Sequence, residues 1–418
     1  MVAPDPEQPW RPNYGLWVDE AEALGVSDYL EVCWPEARVE LARGPRILAR
    51  PYGLLDDRRL QLEWLAECRA RGVVIKKGRV RAIEHGAHGS TLILGEGRLS
   101  AKLIVDASGH GSPFIVRESG RAPGFQIAWG ELWAVDSKAV VQGEAPSERT
   151  ATFMDWRPVG SSPPGSSSPS LPPTFCYRLP LGPDRVFLEE TVLVTRPPPG
   201  VEPADYFEAL RERLARRIAA KGGLRGSGLL GARPLETERC IIPMGGPLPL
   251  GSQRLLGFGG AAGMVHPATG YMFTQVLRMR GPVAAQIARE LGDWGDPGAA
   301  SRRVWSVIWP RERVRIWRLY TFGMDALAEM ELASIDAFFD NFFALDPTHW
   351  RRFISAEVSP GALMSTMLRY FGSAPLGIKG RLAGALMGGP GLRMARGFSG
   401  LDQGRGPRTE DRGQRTED

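Results

Sequence analysis

The chain has 418 residues, of which 43% are hydrophobic and 24% charged, with a formal net charge of +5 and a pI near 9.1. This composition is that of a globular protein with room for two or three substructures. The mild positive charge contains no block of lysines and arginines, so it favours contact with anionic lipid or phosphate and argues against nucleic-acid binding. No run of about 20 apolar residues appears, so the sequence predicts neither a membrane span nor a signal peptide.

The cysteines and the first residues also constrain the interpretation. Four cysteines without a CxxC spacing indicate free thiols in a reducing compartment, and no metal site is predicted.

Met1-Val2-Ala3 is short and apolar, and prolines at 4, 6, 9 and 12 exclude a helix. A doubly wound domain has a strand, a GxGxxG turn and a helix before such a segment. We therefore expect that the chain is truncated at its N-terminus and that 1–3 ends the second strand of a sheet; an extended arm is the alternative.

The first part of the chain alternates helix and strand patterns, which is typical of a parallel sheet. Asp56 to Arg71 predicts a helix with Leu62 on its buried face, and Val73-Val74-Ile75 predicts a buried strand. The segment 80–99 predicts a meander of strands with glycine turns. Leu103 to Gly109 predicts a buried strand that ends in a carboxylate and a tight turn, where parallel sheets bind their ligands.

After Gly109 the character of the sequence changes. Aromatic and β-branched segments predict a separate antiparallel sheet, one face of which lines a cavity. The predicted strands are 125–135, 151–156, 174–179 and 185–194. A Ser/Pro/Gly-rich loop occupies 159–173, an amphipathic helix is predicted over 205–221, and 236–249 returns toward the next segment.

The segment RLLGFGGAAGMVHPATGYMFTQVL, Arg254 to Leu277, combines a short buried strand, a glycine-rich turn and an apolar run at helical spacing. Its glycines at 257, 259, 260 and 263 let the backbone approach a ligand closely and adopt positive φ. A helix that starts after such a turn presents free N–H groups and a positive dipole end. The segment therefore predicts a nucleotide or flavin cradle, with an ordinary glycine-rich loop as the alternative.

Beyond Asp296 the sequence predicts only helices. Trp305, Trp309 and Trp317 stand among arginines, and further on 338–343 and 364–371 each present an apolar helix face. These faces form a buried helical core in one interpretation. In the other interpretation they form an apolar entrance to the protein that rests on a membrane interface, with tryptophans and basic residues at the level of the lipid headgroups.

The segment Phe187-Leu188-Glu189-Glu190-Thr191 places two adjacent carboxylates in an otherwise apolar strand. Alternation sends their side chains to opposite faces, so one can be solvated or paired while the other faces the cavity. A carboxyl group in an apolar cavity has a raised pKa and can hold the proton that a general acid needs. The alternative is two acids at a strand end, one of them paired with Arg185. Asp155-Trp156 adds a further acid in an aromatic setting.

Several motifs, in this order, resemble those of lycopene cyclases of the plant and cyanobacterial type. The resemblance runs from about Pro4 to the helices near Leu368, which is almost the whole chain. The motifs are PWRPNYGLW at 9–17, VDASG at 105–109, MDWR at 154–157, FLEET at 187–191, CIIPMGGPLP at 240–249, GFGGAAGMVHPATGY at 257–271 and FGMD at 322–325.

The resemblance implies an α/β fold related to p-hydroxybenzoate hydroxylase and geranylgeranyl reductase. A Rossmann-like FAD-binding domain, incomplete at its N-terminus, would comprise 1–110 and 251–295, and an antiparallel β substrate domain would comprise 111–250. C-terminal helices at 296–395 would contact substrate and membrane, and a disordered tail would follow at 396–418.

The implied reaction cyclises the ψ-end groups of lycopene and other linear carotenoids to β-ionone rings, giving γ-carotene and β-carotene with no net redox change. The implied cofactor is FAD in its reduced form, with NADPH or NADH as reductant. The substrate is membrane-borne, so we expect a cytoplasmic protein that attaches peripherally to the inner membrane and can contact other carotenoid enzymes.

The resemblance also implies roles for individual residues. Glu189 would be the acid that cyclisation requires, with Glu190 beside it as a second catalytic candidate. The substrate contacts would be Asp155, Trp156 and Phe322, and Trp129, Trp133 or Trp156 could stabilise a cation through their ring faces. The cofactor contacts would be Asp106, Ala107, Ser108, Gly109, Gly257, Gly259, Gly260, Gly263, Met264, Thr269, Gly270 and Tyr271.

Two departures from the related flavoproteins bear on function. The N-terminal glycine fingerprint is missing, and Ala3 stands where relatives carry an acidic ribose contact. Gly260 replaces the aspartate of the related hydroxylases and reductases, which favours a cyclase over a monooxygenase. The alternatives are a non-catalytic carotenoid-binding flavoprotein fragment, an ε-type cyclase and a polyprenyl reductase.

Overall fold

The computed structural model describes residues 1–10, 13–136, 149–160, 170–220, 229–231 and 233–402. Part of the predicted Ser/Pro/Gly-rich loop, the last residue of the helix predicted over 205–221 and the tail from 403 lie outside the described residues.

Most of the strands predicted from alternation are present, and others add to them. The strands are β1 (Val2–Ala3), β2 (Gly15–Trp17), β3 (Leu30–Trp34), β4 (Glu36–Leu41), β5 (Gly44–Leu48), β6 (Tyr52–Leu55), β7 (Lys76–Lys77), β8 (Val80–His85), β9 (Ser90–Leu94), β10 (Arg98–Ala101), β11 (Val105–Asp106), β12 (Gly124–Val135), β13 (Thr150–Asp155), β14 (Thr174–Pro180), β15 (Arg185–Thr195), β16 (Leu229–Leu230), β17 (Glu236–Met244) and β18 (Leu256–Gly257).

Helices dominate the C-terminal part of the chain, as the sequence predicts. The helices are α1 (Val18–Leu24), α2 (Asp57–Ala70), α3 (Phe207–Ala219), α4 (Phe273–Gly292), α5 (Pro297–Ile308), α6 (Arg311–Ala328), α7 (Leu332–Phe343), α8 (Pro347–Ser355), α9 (Pro360–Ser373), α10 (Leu376–Met387) and α11 (Gly389–Asp402). The last of these contains the first residues of the segment that was predicted to be disordered from 396 onward.

The large sheet has eight strands in the order β16-β12-β15-β14-β13-β4-β5, and β17 also pairs with β12. The four strands predicted between 125 and 194 are confirmed, and they pair with one another antiparallel as expected. The sheet is not separate from the first part of the chain, however. β4 joins it parallel to β13, and β5 follows antiparallel.

Each face of this sheet is covered by a different set of helices. On one face, which we call the outer face, Ile127, Trp129 and Leu188 pack against Leu210 and Leu214 of α3. On the other, the cavity face, strand residues pack against the aromatic side chains of α7 and its neighbours in the largest core cluster. Because both faces are covered, the strands are apolar on both sides, and only a few polar positions interrupt them.

Short parallel pairs stand where the sequence predicts a parallel sheet. β11 pairs with β18, which places Asp106 beside Gly257. β1 pairs with β7, and the amino group of Met1 donates to the carbonyl of Val74 at 2.7 Å. The buried strand predicted from Leu103 up to the carboxylate of Asp106 is only two residues long, and its Val105 is 44% exposed.

The prediction of a buried strand at 73–75 is wrong. The helix α2 ends as predicted, but the amide of Val73 then bonds back to the carbonyl of Cys68 at 2.9 Å, so this residue belongs to the helix cap. Val74 is 65% exposed as a result. Leu62 is also misplaced in the prediction, because the buried face of α2 runs through Leu60 and Gln61 and Leu62 lies further round the helix.

Two of the tryptophans beyond Asp296 hydrogen-bond to backbone carbonyls of the glycine-rich segment. Trp305 is buried, and its indole N–H donates to the carbonyl of Leu255 at 3.1 Å. Trp309 donates to the carbonyl of Ala262 at 2.8 Å. Within the described ranges, the helices are all too short or too polar to cross a bilayer.

Candidate active site

An apolar cavity with about 680 Å³ of empty space, including its open mouth, lies between the cavity face of the large sheet and the helices α6, α7 and α8. Aromatic rings supply much of its wall, four of them phenylalanines of α7 in the i,i+4 pattern seen in the sequence. The lining residues are Gln126, Phe153, Met154, Tyr177, Leu193, Ala268, Thr269, Tyr271, Gly323, Leu327, Phe338, Phe339, Phe342, Phe343, Phe353 and Ile354.

Strand pairing places Glu189 on the cavity face. On β15 it stands opposite Tyr177 of β14 and Gly130 of β12, and Leu193 lies four residues further along the same face. Tyr177 and Leu193 both line the cavity. Glu190 stands opposite Trp129 and points to the outer face, as alternation requires.

Glu190 is fully buried and ion-paired. Its carboxylate accepts from Nε of Arg217 at 2.8 Å, from Nη2 of the same residue at 3.1 Å and from the hydroxyl of Thr174 at 2.6 Å. Because α3 carries Arg217, the pair ties that helix to the sheet. Glu190, predicted as a second catalytic residue, is thus held on the face away from the cavity by its charge partner.

Glu189 has no cationic partner among the ion pairs of the described residues, and its one side-chain donor is the hydroxyl of Thr191 at 3.0 Å. Burial and the charge of Glu238 raise the pKa of Glu189 and the hydrogen bond from Thr191 lowers it, and the net result is a pKa of about 8. The carboxyl group therefore holds its proton at neutral pH, which a general acid must do.

The three predicted substrate contacts lie around the cavity and not in its wall. Asp155 is ion-paired with Arg157 at 2.5 Å and lies 3.7 Å from Arg217. Burial alone would raise the pKa of Asp155, but the hydrogen bond and charges of these two arginines lower it. Asp155 is therefore an ionised structural group.

Trp156 and Phe322 stand behind the lining. Trp156 stacks on Phe339 with ring centroids 5.2 Å apart, and its buried indole nitrogen has no hydrogen-bond partner among the described residues. Phe322 packs in a small cluster with Ala326 and Ala385, because Gly323 and Leu327 are the residues of α6 that face the cavity. Trp129, a predicted cation stabiliser, is on the outer face.

The glycine segment forms a close-packed turn against the VDASG loop, as the cradle prediction requires. Gly259 and Gly263 have φ of 60° and 70°. A Cβ at Gly260 would lie 3.1 Å from the amide of His110 and 3.2 Å from Cα of Gly109. The two backbones thus approach as closely as glycine allows.

The opposing loop is shaped by Asp106. Its carboxylate accepts from the amide of Ser108 at 2.8 Å and from the hydroxyl of Ser112. Gly109 follows with φ 102° and has no atom within 4 Å of an added Cβ, so its backbone is open to a ligand. Ala107 lies between these residues in the same turn. This arrangement fits a nucleotide cofactor held by main-chain groups.

Arg117 locks the two halves of the cradle together. Its guanidinium donates to the carbonyls of Ala261 at 2.9 Å and of Pro247 at 3.2 Å. Met264 is buried, and its sulfur accepts from the amide of Gly259 at 3.3 Å. The side chain of Met264, predicted to contact the cofactor, therefore contacts the backbone of the glycine turn instead.

The end of the glycine segment reaches the substrate cavity. Thr269 and Tyr271 line it, and the hydroxyl groups of Tyr271 and Tyr52 are 3.4 Å apart. Gly270 has φ 74°, and a Cβ there would lie 2.6 Å from Oε1 of Gln126. One continuous segment therefore supplies both the cradle and part of the cavity wall.

Sequence reasoning missed Glu238 and Asn13, which hydrogen-bond to each other at 2.5 Å near Glu189. Asn13 lies in the PWRPNYGLW motif, for which the sequence predicts no site residue. Glu238 lies on β17, where it alternates with other polar residues. Neither position carries a local signal for the site, since only the pairing of β12 with both β15 and β17 brings them to Glu189.

Comparison with known proteins agrees with the resemblance seen in the motifs. The family described as lycopene cyclase protein matches residues 1–379. The chain is 37% identical to the chloroplastic lycopene beta cyclase of Arabidopsis thaliana, over 89% of this chain and 72% of that one. It is 36% identical to the capsanthin/capsorubin synthase of Capsicum annuum, over the same shares of 89% and 72%.

Solved structures resemble the whole fold at low sequence identity. A geranylgeranyl bacteriochlorophyll reductase-like protein from Thermoplasma acidophilum aligns with a TM-score of 0.62 at 13% identity, covering 92% of each chain. PqsL of Pseudomonas aeruginosa, a probable FAD-dependent monooxygenase, aligns with a TM-score of 0.51 at 18% identity, covering 81% of this chain and 92% of that one. The predicted α/β fold of the geranylgeranyl-reductase type is confirmed.

Because Glu190 and Arg217 are buried together, the change Arg217→Met should destabilise the protein by about 3–5 kcal/mol, since the buried carboxylate keeps only the more distant Arg213, at 3.6 Å, as a charge partner. Denaturant-induced unfolding measures this difference. The control is Arg211→Met on the same helix, which removes an exposed pair with Glu208 and should cost less than about 1 kcal/mol. Equal, small effects of the two changes would show that the buried pair does not hold α3 to the sheet.

Proposed function

We propose a reaction for this chain, which belongs to the lycopene cyclase family: it closes the linear ψ-end groups of lycopene to β-rings. The observation that carries the proposal is Glu189, a carboxyl group that keeps its proton and lies on the cavity face of the sheet, opposite Tyr177 of the cavity wall. The relatives named lycopene beta cyclase support the β-ring as product.

The proposed step needs only a proton and an apolar chamber. The O–H bond of Glu189 breaks and a C–H bond forms at the terminal double bond of the substrate. The carbocation is attacked by the next double bond, which forms the ring C–C bond, and a proton then leaves the ring. The rings of Tyr177, Tyr271 and Phe153 line the cavity, and the π face of an aromatic ring stabilises a nearby positive charge.

We further propose that the cradle holds FAD. The backbones of 106–109 and 257–263 would bind its phosphate and ribityl groups, and 269–271 would carry it to the edge of the cavity. The chemistry that reduced FAD supplies when bound is electrostatic stabilisation of positive charge with no net electron transfer. NADPH or NADH would keep it reduced.

We also propose that the protein attaches peripherally to the cytoplasmic side of the inner membrane, since its substrate is a hydrocarbon. The exposed apolar residues at 364, 368 and 371 form one stripe along α9, where Leu368 is 64% exposed. On α10, Leu376 is 85% exposed and Met387 is 78% exposed. These residues replace Trp305 and Trp309 as the proposed contact, because the indole N–H of each is bonded to a backbone carbonyl of the glycine-rich segment.

The change Glu189→Gln should lower cyclisation by at least about 10²-fold, since an amide cannot deliver the proton. The fold and bound flavin should persist, because the amide oxygen can still accept from Thr191. Conversion of lycopene to cyclic carotene, measured by chromatography, checks the activity. Activity above about 10% of the wild type would contradict the role of Glu189, and a dihydro product from the wild type would indicate a reductase.

The change Gly260→Ala should lower the fraction of protein that purifies with flavin, because the new Cβ presses on the backbone of residues 109 and 110. The absorbance ratio of flavin to protein measures this. The control is Gly251→Ala, where the nearest atom, Cβ of Trp305, is 3.8 Å from the added Cβ. Equal flavin content in both variants would place the cofactor elsewhere.

Changing both Leu368 and Leu376 to Glu should weaken binding to vesicles of phosphatidylethanolamine and phosphatidylglycerol by at least about tenfold, since each buried leucine contributes ~1.5–3 kcal/mol. Flotation of the vesicles in a density gradient measures the bound fraction. Leu62→Glu, on α2, is the control, because that leucine is 48% exposed elsewhere on the molecule. Unchanged flotation of the double variant would rule out this surface as the membrane contact.

A further inference from the structure

Two carboxyl groups flank Gly130 on the cavity face. Gly130 pairs with Glu189 on β15 and with Glu238 on β17, on its two sides. Residues that stand opposite each other in a sheet point to the same face, so the two glutamate side chains project together. Strands lie about 4.8 Å apart, which places the two Cα atoms about 10 Å apart, and Gly130 itself adds no side chain between them.

The space above Gly130 is filled by apolar atoms. A Cβ at this position would lie 2.5 Å from Cζ of Phe187 and 3.4 Å from Cβ of Glu238. Phe187 is itself buried. The ring therefore occupies the place a side chain or water would take, and the two carboxyl groups interact through a medium of low polarity.

The two groups differ in their hydrogen bonds. Asn13 donates to both oxygens of Glu238, from its side-chain nitrogen at 2.5 Å and from its backbone nitrogen at 3.3 Å. Two donors on the two oxygens favour the carboxylate over the acid. Glu189 receives one hydroxyl, from Thr191. The site thus favours one proton on Glu189 and one negative charge on Glu238.

The surroundings of the pair agree with this assignment. Burial raises the pKa of Glu238 and the two bonds from Asn13 lower it, to a net value of about 7, which is below the value of about 8 for Glu189. Tyr52, Tyr177 and Cys240 surround Glu189, and burial raises the pKa of each, so all three stay neutral. The groups that face Glu238 are Tyr14, Cys240 and Asp57.

We infer that Glu238, held by Asn13, is a positioning residue that keeps the proton on Glu189 until substrate arrives. The inference rests on the proposed cyclisation. When Glu189 gives its proton to the substrate double bond, two carboxylates face each other across Gly130. Their repulsion favours return of the proton that the ring carbon releases, so Glu189 is reprotonated at the end of the step and no outside acid or base is consumed.

The test is Glu238→Gln, which keeps the size of the side chain and removes its charge. The titration of Glu189, followed without substrate by NMR of ¹³C-labelled glutamate carboxyls, should move down by about 1 pH unit. The alkaline limb of kcat/KM should move down with it, because Glu189 then loses its proton at lower pH. The control is Glu236→Gln, an exposed position on the same strand, which should leave both curves in place.

A second variant guards against misfolding. Asn13→Ala removes the side-chain donor and leaves the backbone one, so both curves should shift in the same direction by a smaller amount. Unchanged titration of Glu189 in either folded variant overturns the inference. If Glu238→Gln shifts the titration of Glu189 but the wild-type protein forms no cyclic product, only the proposed function is overturned. The two results are separable because the titration is measured without substrate.

Discussion

The alternation of side chains along β15 decides where each of two adjacent carboxylates goes. Glu190 is drawn to the outer face by the buried guanidinium of Arg217, at 2.8 Å. Glu189 must then face the cavity. A register shift that moved Glu190 to the cavity face would put Thr191 in its place opposite Arg217, so the buried guanidinium and Glu190 would both lose their ion pair. The ion pair on the outer face therefore fixes the identity of the acid on the other face.

The apolar cavity has two consequences that come from one physical cause. Four phenylalanines of its wall, Phe338, Phe339, Phe342 and Phe343, offer no hydrogen bond to water or to a carboxylate. A hydrocarbon end group loses nothing by entering such a space, whereas a carboxylate at its edge loses its hydration. The same surroundings that would accept the substrate thus keep Glu189 protonated.

The sequence predicts those parts of the site that depend on local pattern. Strand alternation separates Glu189 from Glu190 without any knowledge of their partners, and the glycine pattern locates the cradle. Asn13 and Glu238 could not be found in this way, because their place follows from the pairing of strands that are far apart in the chain. Val73 and Val74 mislead in the opposite direction, since their hydrophobicity predicts a strand where a helix cap takes the backbone.

The position of the tryptophans could not be predicted from the sequence either. A tryptophan amid arginines is compatible with a membrane surface or with a core, and the sequence left both open. The structure buries Trp305 because its indole N–H finds the carbonyl of Leu255, in the segment just before the cradle. Such a bond offsets the cost of burying the polar nitrogen, and it cannot be inferred without knowing which carbonyl is free.

The link between cradle and cavity is held by a short turn around His266. Its backbone amide donates to the carbonyl of Tyr271 at 2.7 Å, and the amide of Gly270 donates back to its carbonyl at 3.0 Å. Burial lowers the pKa of His266 to about 4, so the ring is neutral and its Nδ1 accepts from the amide of Ala268 at 3.1 Å. A charged ring would turn that acceptor into a donor and break the bond. The neutral histidine therefore keeps the distance from the glycine cradle to the cavity wall fixed, so that whatever the cradle holds meets the cavity at Tyr271.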